Sequence, residues 1–340
     1  MRRHYSLTSF ISLFVLSLST SLSISSNSYS QAAPTTPVSS TNASNTLSSA
    51  MRDVQALASE KMQGRSLATP GNALAQDYIL SRIKELGLKP CGDSYLQGFS
   101  YTDRTGTEKK GQNILACQDA SNPSSSNNNA KIVVSAHYDH LGVKNGALFF
   151  GADDNASGVA GVFAVAKKMQ TLKPQHPIVY AFFDGEELGL VGSNAFVKQA
   201  LIPLDQIAIN INFDMIARGD KNELYFSGSH QTPSLQPLLT HLNGTQGIKL
   251  LFGHDRPEQG QDDWTNQSDQ YAFFKAGIPH LYVGVEDHAD YHKPSDTFDK
   301  INPKFFDGAI AIVQEAVHLI DQALTKNDFR IERKKYDVKK

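Results

Sequence analysis

Residues 177–190 read PIVYAFFDGEELGL, and this stretch decides the fold. Its first half, residues 177–183, is apolar and rich in β-branched and aromatic side chains, which predicts a strand buried on both faces. Directly after it, Glu186 and Glu187 lie among glycines and apolar side chains. A Glu-Glu pair is usually a solvated surface feature, but burying unpaired charge is costly. A divalent metal would supply the missing positive charge.

Similar apolar segments recur along the chain, and segments with helical spacing alternate with them. Strands are predicted at residues 113–117, 132–136, 207–213, 225–226 and 280–285. Helices are predicted at residues 72–86, 156–169, 193–199, 233–242, 269–276 and 303–324. This alternation indicates an α/β domain with a largely parallel sheet.

Candidate metal ligands follow the predicted strands one after another. They are His137 and Asp139 after the strand at 132–136, Asp153 and Asp154 before the helix at 156–169, Glu186 and Glu187 after 177–183, Asp214 after 207–213, and His288 and His292 after 280–285. In open α/β sheets, ligands bind outside the carboxyl ends of the strands. We therefore expect residues far apart in the sequence to converge at one edge of the sheet.

The residue types fit zinc, which takes neutral imidazole nitrogen and carboxylate oxygen as ligands. Two metals about 3.5–4 Å apart need a bridging carboxylate and share a water or hydroxide. A second carboxylate must then accept the proton of that water and pass it on. Adjacent acids can divide these jobs if one faces the metal and the other faces the water. Asp139 is placed to accept a hydrogen bond from the ring of His137.

Five blocks of the sequence resemble the M28 family of zinc peptidases, most closely its secreted bacterial aminopeptidases. The blocks are HYDHLG (137–142), GADDNASGVAG (151–161), FFDGEELGLVGS (182–193), NINFDMIAR (210–218) and YHKPSDTFDKI (291–301). GRSLATPGN (64–72) and QSDQYAFFKAGIP (267–279) add to the likeness, which covers roughly residues 51–320. The order of the blocks is that of the family.

The resemblance implies an α/β fold of the zinc exopeptidase type. We expect a single globular domain over residues 51–325, with a mixed, mostly parallel β-sheet of about eight strands between helices. Larger relatives carry an inserted domain between early strands. Here only the short polar segment at 119–130 lies there, so we infer that the insert is absent.

Carried over residue by residue, the resemblance implies a complete site for two Zn²⁺ ions. In it, His137 and Asp214 bind one zinc, Glu187 and His292 bind the other, Asp154 bridges both, Glu186 is the general base, Asp139 orients His137, and Tyr291 hydrogen-bonds the developing oxyanion. An equal alternative for Tyr291 is an aromatic side chain that simply packs beside a ligand.

Four further positions carry open interpretations. His288 lies in a segment that we expect at the rim of the site or behind its ligands, and Asp153 is expected to be structural. Arg256 either meets a substrate carboxylate or is a surface arginine. Gln270 stands where many relatives have His, which puts any role of that position in doubt.

The leading functional hypothesis is a metallo-aminopeptidase that removes the N-terminal residue from peptide substrates. Carboxypeptidase or dipeptidase action is an alternative, and so is glutaminyl cyclisation with one zinc, which the intact DDNASG block disfavours. A non-catalytic, receptor-like binding protein would predict a loss at Glu186 or at a ligand, and none is seen. Ser157 does not lie in a G-x-S-x-G motif, which disfavours a serine hydrolase.

The N-terminal segment predicts export. Arg2 and Arg3, an apolar run at residues 10–22 and small residues near Ala33 are typical of a signal peptide, which we place at residues 1–32. The protein would then be periplasmic or secreted. The apolar run is too short to favour stable membrane insertion.

The remaining features concern linkers, cysteines and charge. Residues 33–50 are predicted to be a flexible linker, and residues 326–340 a solvated basic tail. Cys91 and Cys117 form either one disulfide, as an oxidising compartment allows, or two free thiols. The net charge of -2 gives no indication of a nucleic-acid partner. The sequence leaves the oligomeric state open.

Overall fold

The structure is a computed structural model, which describes residues 47–121 and 130–338. The predicted signal peptide (1–32) lies outside the described residues, and so does the predicted linker up to residue 46. Most of the polar segment at 119–130 also lies outside them. The first described helix begins at Ser49.

The described chain forms one nine-stranded sheet and a separate two-stranded hairpin. The strands are β1 (Lys89–Pro90), β2 (Leu96–Thr102), β3 (Glu108–Gln118), β4 (Lys131–His137), β5 (Val143–Lys144), β6 (Ala147–Leu148), β7 (Ile178–Phe183), β8 (Ile207–Phe213), β9 (Glu223–Ser227), β10 (Lys249–Phe252) and β11 (His280–Gly284). β5 and β6 form the hairpin.

Eight α-helices accompany the strands in the described ranges. They are α1 (Ser49–Leu57), α2 (Pro70–Glu85), α3 (Gly158–Leu172), α4 (Val191–Gln199), α5 (Leu235–Leu239), α6 (Gln270–Lys275), α7 (Pro303–Ala323) and α8 (Phe329–Val338). Among them we find no helix whose length and apolarity would suffice to cross a membrane.

The strand order of the large sheet is β1-β3-β7-β4-β8-β11-β9-β10, with β2 also paired to β3. The four central strands β7, β4, β8 and β11 run parallel to one another. Antiparallel pairs join β3 to β7 and β9 to β11 at either side of this centre. The predicted α/β class and mixed, mostly parallel sheet are confirmed, with nine strands where about eight were expected.

Both faces of the central sheet are covered, as the strand β7 illustrates. Neighbouring residues of a strand point to opposite faces. Phe182 therefore packs against Phe163 of α3, with ring centroids 5.1 Å apart. Phe183 packs on the other face against Phe196 of α4 and Phe273 of α6, at 5.6 and 6.2 Å. Burial on both sides explains why β7 is continuously apolar.

The C-terminal segment differs from the solvated tail that its charge predicted. Residues 329–338 form α8, and the side chains of Phe329 and Arg333 are buried in it. The guanidinium of Arg333 lies 4.4 Å from the centroid of the Phe274 ring and donates to the Phe274 carbonyl oxygen at 3.0 Å. The guanidinium also pairs with the carboxylate of Asp337, so this basic side chain is buried with an aromatic ring, a carbonyl oxygen and an opposite charge as partners.

Cys91 and Cys117 form a disulfide, with their Cα atoms 5.0 Å apart. The bond lies beside the short pairing of β1 with β3, in which Lys89 faces Cys117. It therefore ties the segment after α2 to the edge of the sheet.

We expect that replacing both cysteines with serine lowers the free energy of unfolding by about 3 kcal/mol, because the bond closes a loop with a sequence separation of 26 residues. Urea unfolding followed by circular dichroism measures this. Wild-type protein in reducing agent should match the double variant. An unchanged midpoint in both would contradict a stabilising disulfide.

Candidate active site

Side chains from four parallel strands meet at one edge of the sheet. His137 is the last residue of β4, and Asp214 directly follows β8. Glu187 lies in the turn after β7, and His292 in the segment after β11. Because parallel strands place their carboxyl ends together, these residues line a single cleft. The structure thus brings these residues together at one edge of the sheet, as the sequence predicts.

A first ligand group consists of His137, Asp154 and Asp214. The Nε2 atom of His137 lies 3.4 Å from Asp154 Oδ1 and 3.4 Å from Asp214 Oδ1. All three side chains are buried. One atom from each lies within 4.8 Å of the others, close enough for a single ion to contact all three.

A second ligand group consists of Asp154, Glu187 and His292. The Nε2 atom of His292 lies 3.1 Å from Asp154 Oδ2 and 3.3 Å from Glu187 Oε2. Asp154 thus turns one carboxylate oxygen to each group, as a bridging ligand does. The side chain of His292 is 40% exposed, so this group opens towards the solvent.

The donors fit zinc in both number and kind. Imidazole nitrogen and carboxylate oxygen are the atoms that zinc binds in proteins. Asp154 Oδ2 and Glu187 Oε1 are buried without a hydrogen-bond partner in the described chain. An anionic oxygen left in this state is costly, and a bound cation removes the cost.

Backbone donors hold the segment that carries Asp154. The carboxylate of Asp296 accepts hydrogen bonds from the backbone N–H groups of Asp153 and Asp154, each at 3.1 Å. Asp153 in turn accepts from the N–H of Ala217 at 2.7 Å. Asp153 is therefore structural, as expected, and it fixes the residue beside it.

The sequence predicts that the carboxylate of Asp139 accepts a hydrogen bond from the His137 ring, and the structure differs. That carboxylate lies 3.7 Å from His137 Nδ1, too far for a hydrogen bond. The backbone oxygen of Asp139 takes this place, at 3.2 Å. Its carboxylate instead accepts from the N–H groups of Glu186 and Glu187, at 3.0 and 3.4 Å. Asp139 thus orients the ring through its main chain and the two acids through its side chain.

Glu186 lies in the cleft beside the first ligand group. Burial raises the pKa of its carboxyl group well above the ordinary value, and the nearby charges of Asp214 and Asp269 add to the shift. Cations bound in the two ligand groups would act in the opposite direction and favour the carboxylate. A carboxyl group whose pKa responds to its surroundings in this way can accept a proton and pass it on.

The cleft has a volume of about 250 Å³. Tyr291 lies along it, with its ring stacked on that of His292 at 4.0 Å. The lining residues are His137, Asp154, Glu186, Glu187, Asp214, Met215, Trp264, Gln267, Tyr282, Val285, Asp287, Tyr291 and His292. Every predicted site residue except Asp139 is among them, and Asp139 lies directly behind.

The positions with open interpretations lie outside the cleft lining. His288 Nε2 contacts the buried Asp153 Oδ2 at 3.2 Å, behind the ligands. Arg256 is exposed at the start of a helical turn. Gln270 is buried and accepts a hydrogen bond from Asn212 at 3.1 Å.

Two buried side chains near the site, those of His140 and Arg65, are not indicated as functional by the sequence. His140 Nδ1 lies 2.7 Å from Glu187 Oε1, and burial lowers the pKa of His140 to about 3, which keeps the ring neutral. Arg65 donates to the backbone oxygens of Tyr138 and Gly151, at 2.8 and 2.9 Å. Both belong to blocks that resemble the family, HYDHLG and GRSLATPGN, but the letters alone do not say where either side chain points.

Comparison with known proteins agrees with the resemblance. The model of peptidase family M28 matches residues 113–317. The chain is 28% identical to leucine aminopeptidase 2 of Arthroderma otae over 177 residues. This alignment covers 45% of this chain and 35% of that protein. The chain spans between about a third and a half of the length of the first curated relatives it matches.

Solved structures share the fold. A zinc aminopeptidase from Bacillus subtilis aligns with a TM-score of 0.63 and 17% identity, over 79% of this chain and 94% of that one. A glutaminyl cyclase from Porphyromonas gingivalis aligns with a TM-score of 0.62 and 18% identity, over 79% and 96%. At such identities the likeness shows the fold alone, and it does not distinguish the two activities.

We expect three buried carboxyl groups of the metal-free protein to lower its stability as the pH rises from about 4 to 7. His140 and His280, whose pKa values burial lowers to about 3 and 4, act in the opposite direction. Burial raises the pKa of Glu187, Asp184 and Asp296 to about 7, whereas unfolded carboxyl groups ionise near their ordinary values. The folded state therefore retains protons that the unfolded state has already released. Thermal unfolding of chelator-treated protein across this range measures the effect.

Asp184→Asn should shrink this pH dependence, because it removes one of the titrating groups while keeping a side chain of the same shape. Added zinc should oppose the loss of stability, because a bound cation favours the ionised form of the carboxyl groups around it. The same pH dependence of the melting temperature in metal-free Asp184→Asn and wild-type protein would contradict the expectation.

Proposed function

Because the chain belongs to peptidase family M28, we propose that it is a zinc-dependent aminopeptidase that removes the first residue of peptides. The observation that carries the proposal is the position of Asp154, whose two oxygens face separate ligand groups beside Glu186. Such an arrangement suits two ions that share one carboxylate.

We assign five side chains to the two ions. His137 and Asp214 would hold the first zinc, Glu187 and His292 would hold the second, and Asp154 would contribute one oxygen to each. When bound, the zinc ions polarise the peptide carbonyl and lower the pKa of a water molecule. Distances of 3.1–3.4 Å between the donor atoms of neighbouring ligands support this assignment.

Glu186 is the general base in this proposal. Its carboxylate accepts a proton from the attacking water and delivers it to the nitrogen of the leaving peptide. The hydrogen bond from its own N–H to Asp139 fixes the turn that presents it to the cleft. Tyr291 is assigned to donate to the oxygen of the scissile carbonyl as negative charge develops there.

The charge of the cleft favours an amino terminus over a carboxyl terminus. Among the described residues that line it, five are acidic and none is Lys or Arg. Asp287 is a lining carboxylate outside both ligand groups, and it can attract the α-ammonium group of a peptide. Carboxypeptidases need a cation for the terminal carboxylate, usually a guanidinium. Arg256 lies outside the lining, so it offers none.

We further propose that the protein acts outside the cytoplasm, in the periplasm or after secretion. The disulfide between Cys91 and Cys117 supports an oxidising compartment. The apolar segment near the N-terminus, interpreted as a signal peptide, supports the same location. Its substrates there would be peptides.

Glu186→Gln should lower kcat by roughly 10²–10⁴-fold, the range expected for loss of a general base. Zinc content should stay at the wild-type value, near two per chain, because no assigned ligand is removed. Metal analysis and turnover of an aminoacyl-p-nitroanilide measure the two quantities. Glu60→Gln, at an exposed position, is the control. Ordinary turnover by the Glu186 variant would refute the assignment of the base.

A substrate panel tests the reaction itself. We expect hydrolysis of free aminoacyl-p-nitroanilides, no hydrolysis of N-acetylated ones, and no release of the last residue from N-blocked peptides, because the cleft recognises a free ammonium group. The panel includes a peptide with N-terminal glutamine. If this peptide is cyclised and the other substrates are not hydrolysed, the protein is a glutaminyl cyclase and the aminopeptidase proposal is wrong.

A further inference from the structure

The buried side of the second ligand group contains polar atoms without hydrogen-bond partners in the described chain. They are His140 Nδ1 and Nε2, Asp154 Oδ2 and Glu187 Oε1. His140 itself is 1% exposed. Buried polar atoms are nearly always paired, so a cluster of four unpaired ones marks a place where a binding partner belongs.

The distances within this cluster are those of atoms around a common centre. His140 Nδ1 lies 2.7 Å from Glu187 Oε1 and 3.7 Å from Asp154 Oδ2. The shorter contact does not have the angle of a hydrogen bond, since both of its atoms remain unpaired. One atom each of His140, Asp154 and Glu187 lies within 4.8 Å of the others. A single cation can satisfy all three.

The His140 ring is held firmly in this position. A Cβ atom on Gly151 would come within 2.6 Å of ring atoms Cγ and Cδ2 of His140, so only glycine allows the ring this place. The backbone of Gly151 has a φ of +60°, which also favours glycine. On its other side the ring meets the edge of the His292 ring, with centroids 6.0 Å apart.

We propose that His140 binds the second zinc through Nδ1, from the buried side of the site and together with Asp154, Glu187 and His292. The inference rests on the proposed zinc-dependent function and deepens it. His140 supplies a fixed inner ligand, whereas His292 supplies an outer ligand that is 40% exposed. Either ring nitrogen of a neutral histidine can serve as a metal ligand.

Metal affinity provides the first test. Zinc is titrated into metal-free wild-type protein and His140→Ala in competition with a chelator. Binding of the first zinc should be unchanged, and binding of the second should weaken by more than about 100-fold, beyond the 10–100-fold typical of a residue that only orients a ligand. A second dissociation constant within 100-fold of the wild-type value overturns the proposal.

His280→Ala is the matched control. His280 is also buried, and both of its ring nitrogens also lack hydrogen-bond partners in the described chain, but it lies at the start of β11, away from the cleft. We expect it to bind both zinc ions with wild-type affinity. Equal weakening in the two variants would show a general loss of stability and overturn the proposal.

Nuclear magnetic resonance of wild-type protein provides a second test, which needs no folded variant. Nitrogen-15 labelled histidine side chains are observed without zinc, with one zinc and with two. The Nδ1 signal of His140 should move to the position of a metal-bound nitrogen with the second zinc. A signal that stays in place overturns the ligand assignment. If two zinc ions bind and peptides are cleaved in that case, the proposed function stands without it.

Discussion

The burial of several carboxylates together, at the carboxyl edge of the sheet, is the constraint on which the rest of the site depends. Burial raises the pKa of Glu187 and of Asp269 to about 7. The chain compensates partly with backbone donors, which reach the carboxylates of Asp139 and Asp296. Among the described residues, no hydrogen-bond donor reaches Glu187 Oε1 or Asp154 Oδ2. A metal site therefore resolves an electrostatic conflict that the fold itself creates.

Arg65 shows how the fold keeps this acidic edge in register. Its guanidinium is fully buried and donates to four backbone oxygens, those of Leu57, Tyr138, Phe150 and Gly151. Burial lowers the pKa of Arg65 to about 10, which still leaves it charged at neutral pH. One side chain thus links the end of α1 to the segments that carry His137 and Asp154. A lysine could not replace this planar set of donors.

The sequence predicted what depends on local pattern and on parallel strand order. β8 was predicted with its observed bounds because both of its faces are buried. β2 was missed because it alternates exposed and buried residues and contains Gly98. Four of the five candidate ligands could be brought together because the strands that they follow end at one edge of the sheet. The position of the His140 ring depends instead on its contact with Gly151. Trp264 reaches the cleft from a short helical turn and Asp287 from the irregular segment after β11, and no periodicity in the sequence indicates the course of either.

The turn that carries Glu186 and Glu187 explains how two adjacent acids come to line the same cleft. Gly185 has a φ of +73°, and a Cβ atom there would come within 2.4 Å of the side chain of Val191, so the chain leaves β7 by a path open only to glycine. Asp139 then holds the N–H groups of both Glu186 and Glu187. The carboxylate of Glu187 belongs to the second ligand group. The pKa of Glu186 is raised by burial and is also shifted by charges of the first group, those of His137 and Asp214. In a strand the two side chains would point to opposite faces. Within a regular α-helix, consecutive side chains do not face each other, so they would not share one site. A tight turn is the local structure that lets both neighbours line one cleft.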